Sequence, residues 1–410
     1  VKFFFFLLPF VFFLQTRIPI ANQFHGNDYE IIFVYVRDII VLGFTGLGVY
    51  RHGRPIWNWI LQLKWFLVWF CLLFLFSVLS SVTAIDPVIA LYKTIMLLLY
   101  ATFAVTIGWY IRTQHTGYSW LSVWILPFVC IAIMAAYEMT TGQSMGLWLL
   151  GNWDFSVLTP GIARAQFLGQ TILRPYTVFP HPNVLGGVAL IFAVLFITLL
   201  AQSERKSRVY IGILCTWFLV LISFSRSAWI AGVMGLLFTL LVRRRKTHIP
   251  RSMIALGCMS LLIIIPYISQ VSVHEPAVSE RVELIDKSID MIQENPLLGV
   301  GNGNFTLALK ELRPVERQLF LQPVHVVWLL VASELGIVAG IIYFAGWAGL
   351  LGYALRIMKN VQAVSVAAIW GIIGIISLAD HYWWSLPVGN ATWWLVLGIS
   401  LSMIQSEQSL

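Results

Sequence analysis

Apolar runs of membrane-spanning length recur along the whole chain, separated by short polar breaks. About 17–25 such residues cross a bilayer as a helix. Read in order, about twelve runs qualify, near 3–20, 30–50, 64–81, 88–111, 119–138, 183–201, 209–224, 226–242, 253–270, 326–355, 363–380 and 388–404. The stretch 209–242 is one long apolar run broken by "SFSRS", which reads as a hairpin. In hydrocarbon the backbone must satisfy its own polar groups, and no segment alternates like a barrel strand, so the spans are expected to be helices. The pattern predicts an all-α polytopic membrane protein, one membrane-embedded domain over 1–410. The first run, "FFFFLLPFVFFLQ", has a single Lys2 and no small-residue cleavage site, and so reads as a retained helix.

Two segments break the rhythm: a first outer loop at 139–182 and a second at 271–325. Loops of this length inside a packed chain are functional or disordered, and both are too rich in aromatic and aliphatic residues for disorder. The second contains an amphipathic helix, "SERVELIDKSIDMIQENP". Val278, Val282, Ile285, Ile289 and Ile292 step by fours and threes along one stripe. Ser279 is the expected N-cap, and Asn295-Pro296 the stop. Glu283, Asp286, Asp290 and Glu294 face away from the stripe, while Arg281 lies at its margin, toward the surface that docks on the bundle. The following "LLGVGNGNF" matches neither phosphate-binding glycine motif; it reads as a tight connection, with a backbone nest for an anion as the alternative.

Composition agrees with the pattern: 59% of residues are hydrophobic and 11% charged, against about 25% charged in a soluble domain. With the N-terminus in the cytoplasm, short inner loops such as "RRRKTHIPR" hold 15 of the 26 basic residues, as the positive-inside rule requires. The net charge of +8 is therefore a topology signal, and nucleic acid is not an expected partner. Both termini fall inside, and both large loops fall outside. Cys71, Cys130, Cys215 and Cys258 lie within apolar runs without C-x-x-C spacing and read as packing residues.

Ionisable groups in or beside the spans need a reason, because each is costly in lipid. Arg37-Asp38 is expected to pair with other helices, since sequence neighbours diverge around a helix. Lys93, one turn into its span, could snorkel outward or serve a site. Arg174, Arg226 and Arg281 collect on the outer side with Asp380 and His381, and the following Trp383 and Trp384 read as an interfacial belt. A cationic cluster over an apolar bundle suits an anionic head on a lipid tail, such as a diphosphate. Neither outer loop has D-x-D, H-E-x-x-H or clustered His and Asp, so no metal or other cofactor is expected. His325 opens the tenth span after Pro323. Glu334 is nine residues on, about 180° around a continuous helix, so the two are not expected to form a dyad.

Several stretches together resemble a known family: "TVFPHPNVLGG", "SFSRSAW", "SERVELIDKSIDMIQENPLLGVGNGNF", "QPVHVVWLLVASELGI" and "ADHYWWS". In this order and spacing, over about 170–390, they resemble the O-antigen ligase and O-antigen polymerase superfamily of bacterial envelope proteins. The resemblance implies a glycosyltransferase of the bacterial cytoplasmic membrane. It would move a glycan from an undecaprenyl-diphosphate carrier to a glycan or lipid acceptor on the outer face. It implies a catalytic role for His325 and diphosphate binding for Arg226 and Arg281, with Arg174, Lys93, Asp380 and His381 as further substrate contacts and Glu334 in support. The family often has Asn after this histidine, where this chain has Val326. A flippase or transporter without chemistry would also suit twelve spans, but polar groups collected on one face argue against a midplane transport site.

Overall fold

The computed structural model describes residues 1–21, 27–113, 119–167, 169–201, 203, 206–243, 276–312, 321–356 and 361–405. The expected span at 253–270, Cys258 and most of "RRRKTHIPR" lie outside these residues. The described chain is mostly helical. In order it forms α1 (Lys2–Val11), β1 (Arg17–Ala21), β2 (Ile32–Tyr35), α2 (Val36–Ile60), α3 (Lys64–Thr83), α4 (Pro87–Thr113) and α5 (Ile125–Thr141). Next come β3 (Arg164–Phe167), β4 (Gln170–Leu173), α6 (Pro182–Leu200), α7 (Lys206–Ile222), α8 (Arg226–Arg243) and α9 (Pro276–Glu294). The chain continues through α10 (Phe305–Leu312), α11 (Val327–Leu335), α12 (Ile337–Arg356), α13 (Val361–Ser377), α14 (Tyr382–Ser385) and α15 (Pro387–Gln405).

Five described helices are long and apolar enough to cross a membrane: α3, α4, α5 with its leading 3-10 turn from Ser119, α6 and α12. Shorter apolar helices occur at α1, α8 and α13. Two of the twelve expected spans take another form. The run at 3–20 ends its helix at Val11, and residues 17–21 instead pair antiparallel with 32–35 as a two-stranded hairpin. Ile18 and Ile20, 67% and 61% exposed, are neighbours of Pro19 on this strand, where proline is tolerated because an edge needs no inner-sheet donor. A second hairpin, β3–β4, sits in the long segment between α5 and α6, so the fold is not purely α. The run at 326–355 breaks at Gly336, whose φ of +90° ends α11 and starts α12. A Cβ there would collide with the carbonyl of Leu297, so the break is where the glycine-rich connection docks.

Helix α6 lies at the centre: 83% of its apolar window is buried, against 28% for the peripheral α3. Helices α4 and α15 cross closely at Gly108 and Gly398, where a Cβ on Gly108 would stand 2.6 Å from the Gly398 carbonyl oxygen. Small residues allow such backbone approach where no hydrophobic force distinguishes helix from lipid. Cys71 and Cys130 are exposed and Cys215 half-buried, so the first two are not packing residues but face outward. Arg37 is fully buried and does contact its neighbour Asp38 (3.4 Å) as well as Tyr100 of α4 (3.1 Å). The first helical turn leaves long side chains room to converge.

The second-loop helix forms, but its docked face is not the β-branched stripe. Pro276 starts α9, so Ser279 lies inside it rather than capping it. Leu284, Ser288 and Met291 are buried, while Val282 and Ile289 are 54% and 41% exposed. A hydrogen bond of 2.7 Å between Ser288 and Ser333 of α11 fixes the rotation. The helix has three faces, about 120° apart: docked, aliphatic and acidic. Arg281 stays at the margin between the first two.

Candidate active site

One cavity of about 650 Å³ gathers nearly all the ionisable residues singled out from the sequence. Lys93 reaches it from α4, Arg174 from the end of the β3–β4 segment, Arg226 from the start of α8 and Arg281 from α9. His325, Asp380 and His381 complete the group. These residues are spread over some 290 positions, and only the bundle brings them together. Glu334 does not line this cavity.

The long segment between α5 and α6 is fixed by a buried carboxylate. Buried Glu138 at the end of α5 accepts hydrogen bonds from Asn152 Nδ2 (2.7 Å) and the backbone N–H groups of Tyr176 (2.7 Å) and Thr177 (2.9 Å). This clamp carries the chain to Pro182, the first residue of α6, with the adjacent His181 as N-cap: its Nδ1 accepts from the Asn183 N–H at 3.1 Å. Arg174 donates to the Ser223 carbonyl (2.9 Å) and to Asn183 Oδ1 (2.6 Å). Asn183 in turn donates to Asp380 Oδ2 (3.1 Å), which also accepts from Ser227 Oγ (3.1 Å). The "SFSRS" break is thus a tight turn, with Phe224 at φ +49°, that presents both Arg226 and Ser227 to the cavity. Asp380 is a structured anion among cations rather than a random surface acid.

His325 and His381 face each other edge to face, with ring centroids 5.0 Å apart. His381 Nδ1 lies 2.5 Å from Ser385 Oγ, which itself donates to the His381 carbonyl (3.0 Å). His381 Nδ1–H therefore donates to Ser385 and leaves Nε2 as an acceptor. His325 Nδ1 is buried without a hydrogen-bond partner among the described residues. Burial lowers the His325 pKa to about 2, helped by His381, Arg281 and His181. Burial and then Arg281 lower His381 to about 3. Burial and then Arg174, His381 and Arg281 lower His181 to about 3. All three rings are neutral near pH 7, and an anion bound between them and the arginines would raise their basicity.

Glu334 serves elsewhere. Its carboxylate accepts from Trp384 Nε1 (2.8 Å), and the backbone N–H groups of Gly303 and Phe305 act on it electrostatically. The glycine-rich segment is a tight connection that docks on the end of α11, with Val300 N–H donating to the Ser333 carbonyl (2.9 Å) and Gly301 N–H to the Glu334 carbonyl (3.0 Å). Gly299, Gly301 and Gly303 all have positive φ, and a Cβ at Gly299 would collide with the Ser333–Glu334 backbone. Lys93 does not snorkel toward lipid; its Nζ donates to the Ser385 carbonyl (3.4 Å) at the cavity wall. Trp383 is fully buried in the bundle, not at an interfacial belt.

Several cavity residues were not singled out from the sequence. His181 and Asn183 are legible in "FPHPN" as a cap before a proline-started helix, once the cap is recognised as the loop's membrane re-entry. Arg17, Asp28 and Tyr29 arrive on the β1–β2 hairpin, hidden because Arg17 falls in one expected span and the other two in the short break before the next. Arg17 pairs with Asp28 (2.7 Å) and stands 4.0 Å over the Phe33 ring.

No curated protein matches the chain. Residues 211–344 match the family model described as O-antigen ligase. That segment runs from α7 into α12 and holds Arg226, Arg281, His325 and Glu334; Lys93, Arg174, His181, Asp380 and His381 lie outside it. The chain is thus a helical membrane protein similar to the O-antigen ligase and polymerase superfamily, through a segment that supplies part of one cavity.

Proposed function

We propose that this cavity is the active site of a membrane glycosyltransferase of the O-antigen ligase or polymerase type. The donor is a glycan on an undecaprenyl-diphosphate carrier, and the acceptor a second glycan or a lipid. The reaction takes place on the outer face of the bacterial cytoplasmic membrane. The observation that carries the reading is the meeting of four arginines, a lysine and three histidines in one cavity of about 650 Å³. The cluster is mainly cationic on the side where the charge pattern of the loops puts the outside.

The chemistry follows from charge placement. Transfer breaks the bond from sugar C1 to the diphosphate oxygen and forms one to the acceptor oxygen. The leaving diphosphate needs little protonation, but its growing charge must be held. Arg226 and Arg281 do this, with Arg174 behind them fixed by Asn183 and the Ser223 carbonyl. Asp380, among these cations, keeps the site from excess positive charge when it is empty. His325, which lines the cavity, takes the acceptor proton on a ring nitrogen. Its lowered pKa rises once the anionic donor is bound beside it, which ties base strength to donor occupancy.

The test is glycan transfer by purified, lipid-reconstituted protein, donor and acceptor supplied. His325→Ala is expected to lower turnover by about 100-fold or more with thermal melting unchanged. Near-wild-type turnover sinks the role of His325. Flipping of the lipid-linked donor without any glycosidic bond formed sinks the enzyme reading itself.

A further inference from the structure

The fold sets the tautomer of His181 through the backbone of its own helix start. It occupies the N-cap of α6 with extended backbone, φ −158° and ψ 146°, and Pro182 follows at the first helical position. Its Nδ1 must carry the lone pair, because it accepts the Asn183 N–H at 3.1 Å. The proton of the neutral ring therefore sits on Nε2. The ring is a wall of the cavity, so that N–H is the group it has left to offer a ligand.

We infer that His181 is a further ligand-binding residue, a neutral hydrogen-bond donor through Nε2–H to an oxygen of the bound diphosphate. This rests on the diphosphate reading above and deepens it. The surroundings select an anion over a sugar hydroxyl. Asn183, which pins the ring by its backbone, uses its side chain to receive Arg174 (2.6 Å) and to hold Asp380 (3.1 Å). Arg174 and Arg281 are the charges that act on His181, and after burial they hold its pKa down. A cationic imidazole would be repelled here, whereas a neutral one donates to the anion without competing with the arginines. The N-cap thus does two things at once. It starts α6 and it locks the ring in the tautomer that presents a donor.

Asn and Ser both cap helices well, so His181→Asn and His181→Ser keep the α6 start and remove the Nε2 donor. The probe is inorganic pyrophosphate, titrated calorimetrically into the full chain in lipid nanodiscs at pH 7. One hydrogen bond to a charged group corresponds to about a ten- to hundred-fold change in Kd. Weakening of that size is expected in either variant that melts like the wild type. A variant that melts normally and binds pyrophosphate as tightly as wild type overturns the His181 assignment alone. Loss of binding only in step with a lowered melting temperature overturns it too, since a cap alone explains that result. Wild-type protein that binds no pyrophosphate overturns the diphosphate reading of the whole cavity, and this assignment with it.

Discussion

At the scale of single residues, the most informative position is Val326. It is the N-cap of α11 and has no side-chain hydrogen bond to give the first turn. An Asn there would accept one of the free N–H groups, and such caps contribute about 1 kcal/mol. Val326→Asn is expected to raise the thermal melting midpoint by a few degrees, read by melting in detergent; an unchanged or lower midpoint refutes the capping argument. Glu334 is the opposite case. Its carboxylate accepts the Trp384 Nε1–H (2.8 Å). Removing this buried acceptor leaves the indole N–H unpaired, at about 1–3 kcal/mol. Glu334→Ala should therefore melt well below wild type, while Glu334→Gln recovers much of the loss. The role of neither residue could be read from spacing: the helical angle correctly separated Glu334 from His325, but its actual partners come from two distant segments.

At the scale of elements, α9 shows what periodicity can and cannot decide. The pattern in 278–292 correctly predicts a helix, and it places Arg281 at a margin of the docked surface. It does not say which of two apolar faces docks. Leu284 and Met291 are buried, and the longer β-branched stripe is left half-exposed. Buried Leu or Met to Ala costs about 2–5 kcal/mol, whereas exposed substitutions stay near zero. Leu284→Ala is expected to destabilise the protein strongly, and Ile289→Ser in detergent hardly at all; equal effects would mean that the stripe is docked after all. Helix α6 is constrained more tightly, because a Cβ on Gly187 would overlap the Tyr382 hydroxyl and one on Gly186 would stand 2.5 Å from Ser223 Oγ. Both glycines sit one turn below Asn183, so the close approach of α6 to α14 and to the "SFSRS" turn is what joins Asn183, Ser227 and Asp380.

At the scale of the whole molecule, the neutral histidines tie stability to pH. Unfolded, each would titrate near 6.5; folded, His181, His325 and His381 are held near 3, 2 and 3. The unfolded chain therefore binds more protons below pH 6.5. The stability from keeping these rings neutral is complete above about pH 6.5 and is lost as pH falls toward the folded values. The melting midpoint should drop between pH 7 and pH 5, and the drop should be smaller in His381→Gln; a midpoint that rises on acidification contradicts the neutral assignment. Orientation is testable at the same scale. Asp28 lies on the rim hairpin with a side chain 63% exposed. A cysteine placed there in a cysteine-free background should react with a membrane-impermeant reagent from outside intact spheroplasts, and reaction only after lysis would invert the topology.

The sequence by itself determined what depends on composition and period: a helical membrane protein, two long segments between its apolar helices, an amphipathic helix in the second, and a set of ionisable residues in need of a shared site. These follow from the cost of charge and unpaired backbone in lipid, which acts position by position and so is written along the chain. Only the tertiary structure decided which residues meet. The β1–β2 hairpin replaced the end of an expected span, because strand pairing is a contact between segments that no local window contains. His181, Asn183, Ser227 and Asp380 form one network across some 200 positions. Glu334 found its partner in Trp384, fifty positions away, and the docked face of α9 turned by about 120°. Each of these was settled by a few hydrogen bonds and close glycine contacts, whose energies depend on distance in space rather than separation in sequence.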